Sequence, residues 1–203
     1  MKKLTSLVLA TGNTHKADEI RVLFRDVDTR LVSLGELGLD MDVIEDGDSY
    51  VENALIKARA AASATGLPAI ADDSGIEVDA LDGAPGIRSA RFAGEGATDT
   101  ENNALLLNML ERVPEHERGG RFVCAAVYVP EPAQPGEEVV CIGEWPGRIG
   151  FAPKGESGFG YDPLFIIPEE GATAAELGPE YKRVHSHRSR AFTALADHLK
   201  ALT

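Results

Sequence analysis

The sequence predicts an α/β fold, and three observations predict it. Short apolar or alternating runs that suit strands fall at 6–10, 31–34, 67–70, 76–81, 121–129, 138–145 and 164–167. Segments with apolar residues at helical spacing separate them, following 14, over 50–65, over 98–110 and following 186. Strands interleaved with helices mark the α/β class. The third observation is length: 203 residues suffice for one domain with a real core, with room for two lobes.

Composition narrows the function. An apolar content of 43% is ordinary for a globular protein. No apolar run reaches the ~20 residues of a membrane span. The start, Met1-Lys2-Lys3-Leu4-Thr5, is basic, but 6–10 is too short for a signal core, so a cytoplasmic protein with no membrane partner is expected. A net charge of −13 argues against nucleic acid, because phosphate backbones select basic surfaces. It leaves room for a small phosphorylated ligand, especially beside a metal. Cys124 and Cys141 lie in apolar runs and read as reduced core thiols.

The strand at 6–10 leads into Thr11-Gly12-Asn13-Thr14-His15-Lys16 and then a helix with Ala17, Ile20, Leu23 and Phe24 on one face. A strand, a glycine turn and a helix N-terminus form an anion site, and Lys16 adds a mobile positive charge. On spacing alone, Asn13 and Thr14 read equally as helix caps and Lys16 as a solvated residue. A second strand is expected at 31–34. The segment 39–48 carries Asp40, Asp42, Glu45, Asp46 and Asp48, which suits a solvated loop or a carboxylate directed at a metal. Ser49-Tyr50-Val51-Glu52 is a capping box opening a helix to 65, with Val51, Ala54, Leu55, Ala58 and Ala62 as its stripe and Gly66 as its stop. Asn53 and Lys57 lie one turn apart on another face.

The centre of the chain is Ala71-Asp72-Asp73-Ser74-Gly75, where one strand is expected to end and another to begin. A strand sends successive side chains to opposite faces. Asp72 and Asp73 therefore take different tasks, one facing a cleft and one bracing the turn. The same residues are ordinary turn residues. Next, 83–92 is a loop with two arginines, and Thr98-Asp99-Thr100-Glu101 is a capping box for a helix with Leu105, Leu106, Met109 and Leu110 as its stripe. Strands at 121–129 and 138–145 follow, joined by a loop over 130–137.

Two dense motifs close the chain. In Gly155-Glu156-Ser157-Gly158-Phe159-Gly160-Tyr161-Asp162-Pro163, glycines flank Phe159 and leave its ring free to stack on a planar base. A glycine-rich surface loop with a core aromatic has the same composition. Tyr181-Lys182-Arg183-Val184-His185-Ser186-His187-Arg188-Ser189-Arg190 is basic in an acidic chain. Ser186 suits an N-cap for a last helix with Ala191, Phe192, Leu195 and Leu199 as its stripe. That helix start is a second anion site or a packing patch.

Taken in order, Thr-Gly-Asn-x-x-Lys, Glu-Asn-Ala-x-x-Lys-Ala, Ala-Asp-Asp-Ser-Gly, Pro-Gly-x-x-Ser-Ala-Arg, Gly-Phe-Gly-Tyr-Asp-Pro and Ser-His-Arg resemble the inosine triphosphate pyrophosphatase family. The resemblance runs from Val8 to the last helix. It implies a long central mixed sheet flanked by helices, in a single two-lobed domain over 1–203 with the active-site cleft between the lobes. It implies a homodimer that uses Mg²⁺ to hydrolyse ITP, dITP and XTP to the monophosphate and pyrophosphate. By position, Thr11, Gly12, Asn13, Thr14, His15 and Lys16 would bind phosphate. Asp73 would be the proton acceptor and a metal ligand, with Glu45 as the second metal carboxylate. Ser74, Phe159, Gly160, Tyr161, Asp162, Lys182, His187 and Arg188 would contact the substrate. One departure is Glu156-Ser157, where small glycine-rich residues are expected.

The chemistry agrees with the resemblance. Cleavage between the α- and β-phosphates needs an activated water and neutralised phosphate oxygens. A carboxylate serves the first need, and Lys16 and Lys57 serve the second. Donors such as Lys182, His187 and Arg188 would select a 6-keto base over a 6-amino one.

Overall fold

The computed structural model describes residues 6–39, 41, 43–133 and 136–202. Asp40, Asp42, the basic start at 1–5 and part of the loop over 130–137 lie outside the described residues. Among the described residues seven strands form one sheet: β1 (Ser6–Leu9), β2 (Arg30–Ser33), β3 (Ala69–Val78), β4 (Gly119–Val129), β5 (Val139–Ile149), β6 (Phe165–Ile167) and β7 (Ala172–Thr173). Their order is β2-β1-β3-β4-β5-β6-β7. β1 runs parallel to β2 and β3, whereas β6 runs antiparallel to β5 and β7, so the sheet is mixed. The helices are α1 (Thr14–Leu23), α2 (Tyr50–Thr65), α3 (Asp99–Met109), α4 (Ala174–His185) and α5 (His187–Leu202). No described helix is long and apolar enough to cross a membrane.

The chain divides into two compact units. The first comprises Met1–Asp73, Cys124–Gly143 and Arg188–Thr203; the second comprises Ser74–Val123 and Glu144–His187.

In the first unit, alternation along β1 separates two apolar layers. Leu7 and Leu9 pack with Ile20 and Phe24 of the α1 region and with Phe192, Leu195 and Leu199 of α5. Val8 packs with Ala54, Ala58, Ala61 and Ala62 of α2. The alanines present little side chain beyond Cβ, so this layer is built from small groups. Cys124 and Cys141 are both free thiols, the first buried and the second half-buried.

The second unit has an aromatic core. Phe122, Trp145, Tyr161 and Phe165 pack with Ile76, Val78, Leu106 and Leu110. Arg118 is 1% exposed in this unit. Its guanidinium donates to the carbonyls of Leu110 (2.8 Å), Ile149 (3.0 Å) and Gly150 (2.9 Å). The Phe151 ring covers it at 4.2 Å. The buried charge is thus spread over carbonyl dipoles, a task suited to the planar fork of arginine.

Several expectations need correction. Residues 67–81 are not two strands around a turn: β3 runs unbroken from Ala69 to Val78, through both aspartates. It ends three residues early, in a 3-10 turn over Asp79–Leu81. The capping box at the start of α2 is half formed: Ser49 accepts the Glu52 N–H, but the Glu52 carboxylate takes the N–H of Asp48 instead. On α3 the box is complete, yet Met109 is exposed and Asn102 is buried in its stead. Asn102 binds the Ala93 N–H and the Ala90 carbonyl, so a polar residue serves the core by tying down a loop. β5 continues past Trp145 to Ile149. α4 was unforeseen, although Thr173 and Glu176 form a readable capping box.

Candidate active site

The first unit gathers a cluster of charges around β3. Asn13 caps α1, its carbonyl oxygen accepting the Lys16 N–H at 3.1 Å. Thr11 accepts the Asn13 N–H at 3.2 Å and shapes the turn. Gly12, Asn13, Thr14 and His15 are exposed at the positive end of the helix. Lys16 is not a free charge: its ammonium lies 3.1 Å from Asp72 Oδ2. Asp72 is fully buried and also meets Arg188 Nε at 3.5 Å. The far side of Arg188 holds Glu19 of α1 at 2.6 Å. Burial alone would push the Asp72 carboxyl up, but Lys16, Arg188 and Lys57 outweigh it and hold the group well below the usual range. The Cys124 thiol, 3.9 Å from Asp72, is pushed far up by burial and by that carboxylate, so it is no nucleophile.

Asp73 belongs to a second branch. Asn53 Nδ2 donates to its Oδ2 at 3.2 Å, and Lys57 Nζ lies 3.8 Å from its Oδ1. Lys57 also binds Glu45 at 2.8 Å. Lys57 is mostly buried, not a surface residue, because α2 turns the Asn53–Lys57 edge onto β3. Burial, countered in part by Lys57 and Lys16, leaves the Asp73 carboxyl above its ordinary pKa. Lys57 is itself raised: burial lowers it, but Asp73, Asp72 and Glu45 prevail.

The second unit holds the aromatic part. Asp162 is buried and accepts Lys182 Nζ at 2.6 Å and the Phe159 N–H at 2.9 Å. Lys182 Nζ sits 4.8 Å over the Phe159 ring. Gly158, at φ 82°, has no room for a Cβ, which would collide with the Asp162 carboxylate. The Gly160 N–H binds Asp99 at 2.6 Å, and its carbonyl accepts from Asn103 at 2.9 Å, so the N-terminal part of α3 holds this loop. The Tyr161 hydroxyl donates to the Ser89 carbonyl at 2.8 Å within the core. His187 is buried at the start of α5 with its ring stacked 4.7 Å from Phe122. Ser74 follows Asp73 on β3 and is half-buried.

Of the residues singled out from the sequence, Lys16, Glu45, Lys57, Asp73 and Arg188 come together in the first unit. Phe159, Gly160, Asp162 and Lys182 come together in the second. Arg188 had been grouped with His187 and Lys182; its side chain joins the carboxylates. Glu19 and Asn53 had no assigned role, and Asp72 was read only as one of a pair of which one member braces a turn. The Glu19 contact joins residues 169 apart, which no local pattern signals. Asn53 was legible only as a polar residue one turn before Lys57.

Comparison with known proteins shows which family the chain belongs to. The Ham1 family model matches residues 7–198. The dITP/XTP pyrophosphatase of Shigella flexneri is 50% identical over 97% of this chain and 99% of its own. That of Vibrio parahaemolyticus is 49% identical over 100% of this chain and 99% of its own. Among solved structures, a HAM1 protein from Coxiella burnetii superposes with a TM-score of 0.88 at 41% identity, covering 97% of this chain and 99% of that one. A dITP/XTP pyrophosphatase from Mycobacterium abscessus gives 0.75 at 45% identity, covering 94% and 98%. The likeness extends over nearly the whole length in sequence and in fold, and the chain belongs to the Ham1 family.

Proposed function

We propose that this chain hydrolyses nonstandard purine nucleoside triphosphates (ITP, dITP and XTP) to the monophosphate and pyrophosphate, removing them from the nucleotide pool before they enter DNA or RNA. The observation that carries this reading is the charge cluster around β3. Lysines from α1 and α2 flank adjacent aspartates in a protein about half identical to dITP/XTP pyrophosphatases.

The donor set fits Mg²⁺. Four carboxylates, Glu19, Glu45, Asp72 and Asp73, meet three cations, Lys16, Lys57 and Arg188, and the Asp73 carboxyl stands above its ordinary pKa through burial. Among the described residues no group of three or more His, Cys, Asp and Glu could cage a metal. Mg²⁺ commonly takes one or two carboxylates and completes its shell with water and substrate phosphate. Glu45 and Asp73 would hold it, and when bound it would neutralise phosphate charge and acidify water.

The chain's own groups do the rest. The α1 N-terminus with Thr11 to His15 receives phosphate oxygens, and Lys16 and Lys57 neutralise them. Asp73 accepts a proton from the water that attacks the α-phosphorus, and pyrophosphate leaves as the bridging P–O bond breaks. Phe159, with Lys182 beside its ring, stacks on the base. Lys182 and His187 set preference for a 6-keto purine, Arg188 serves by holding the carboxylates, and Ser74, Gly160, Tyr161 and Asp162 line or shape the substrate site. A homodimer and a cytoplasmic location complete the proposal.

The test is incubation with ITP, XTP, dITP and ATP at millimolar Mg²⁺, with products followed by ³¹P NMR. Monophosphate plus pyrophosphate from the first three, well above ATP, is expected. Diphosphate plus orthophosphate, a preference for pyrimidine nucleotides, or tight binding without product would each replace this reading.

A further inference from the structure

Asn53 occupies a position that the proposed chemistry does not yet use. It is 1% exposed, and its carboxamide is spent at both ends. Nδ2 donates to Asp73 Oδ2 at 3.2 Å, and Oδ1 accepts the Gly47 N–H at 2.9 Å. Gly47 lies two residues after Glu45, so one amide joins the proposed base to the loop that carries the other proposed metal carboxylate. Gly47 supplies independent support. A Cβ there would stand 2.9 Å from Asn53 Oδ1 and 2.7 Å from Glu52 Cβ. The loop backbone thus approaches α2 as closely as only glycine permits.

We infer that Asn53 is a positioning residue that sets Asp73 and the Glu45 loop in one fixed spacing through the two ends of its side chain. The inference rests on the proposed use of Asp73 and Glu45. Only a carboxamide meets both demands at that site, since it offers a donor and an acceptor on one short rigid group. Aspartate keeps the acceptor for Gly47 but turns a like charge toward Asp73. Alanine supplies neither. Groups that orient the ligands of a reacting centre commonly matter about 10- to 100-fold.

Amide hydrogen exchange at position 47 reads the link without nucleotide or metal, and kcat and KM for ITP read its use. In Asn53→Ala the position-47 amide should exchange at least ~10-fold faster while the β1 and β3 amides keep their protection. In Asn53→Asp that amide should stay protected while kcat falls at least ~30-fold and KM moves less than ~3-fold. If Asn53→Ala does not fold, Gly47→Ala serves instead, with the same faster exchange at position 47 and a lower kcat. Unchanged exchange in a folded Asn53→Ala overturns the inference whether or not ITP is a substrate. So does an Asn53→Asp enzyme within ~3-fold of the original kcat. A lower melting temperature with kcat intact would mark a merely structural residue and overturn it equally.

Discussion

The two units solve the burial of polar groups in opposite ways. Around Asp72 and Asp73 in the first, carboxylates and cations form a chain: Glu19, Arg188, Asp72 and Lys16 on one branch, Asp73, Lys57 and Glu45 on the other. In the second, the buried pair Asp162 and Lys182 is covered by the Phe159 ring beside an aromatic core. A chain of charges can answer a polyanion by exchanging partners. A closed pair beside a ring presents a flat surface and fixed donors, which suits a neutral heterocycle. Charge and shape are thus assigned to different parts of the chain.

Experiments can break this contrast, beginning with the largest effect. Asp73→Asn removes the proposed proton acceptor and metal ligand; kcat for ITP should fall ~1,000-fold or more with KM within ~3-fold, by steady-state kinetics. If both constants change alike, Asp73 serves binding instead.

Asp72→Asn should act on stability first. It leaves Lys16 and Arg188 short of a buried counter-charge, a loss of about 3–5 kcal/mol by urea unfolding. The pH dependence has a fixed sign. The Asp72 carboxyl is lower in the folded than in the unfolded state, so its stabilisation is complete above the unfolded value of about 3.9 and is lost as pH falls toward the folded value. The gap in stability between the original protein and Asp72→Asn should therefore narrow below about pH 4. Asp73, whose folded value is raised, works in the other direction, but it does so in both proteins.

Phe159→Ala belongs to the aromatic side. Loss of the ring should raise KM for ITP about 10-fold, roughly 1.4 kcal/mol, with kcat little changed. A kcat effect as large as that of Asp73→Asn would erase the division of labour. The smallest effect is expected for Arg59→Ala. Its pair with Glu138 is well formed at 2.6–2.8 Å, but Arg59 is exposed, so about 1 kcal/mol or less should be lost.

Much of the scaffold was legible because it rests on local rules. The stripe Ala191, Phe192, Leu195 and Leu199 of α5, the Asn13 and Thr98 caps and the Gly66 stop all follow from neighbours within a few residues. At the central motif the local rule erred because distant partners intervened. Asp-Asp-Ser-Gly has turn composition, but flanking strands and buried cations keep it extended within β3. The site was legible as a set of motifs, not as a wiring diagram. That Arg188 reaches Glu19 and Asp72 while Lys182 reaches Asp162 depends on which way each helix faces. Asn53 was hidden for the same reason, since both of its partners lie outside α2.

The grip of Arg118 on the ends of α3 and β5 has a consequence for how the molecule fails. Guanidinium stays charged at any pH a protein tolerates, and backbone carbonyls do not titrate there either. Acid therefore finds no site to protonate at this joint, whereas every carboxylate in the β3 cluster is one. Acidification should loosen the ionic half of the chain while the arginine clasp still holds, so that the two units lose order in sequence and not at once.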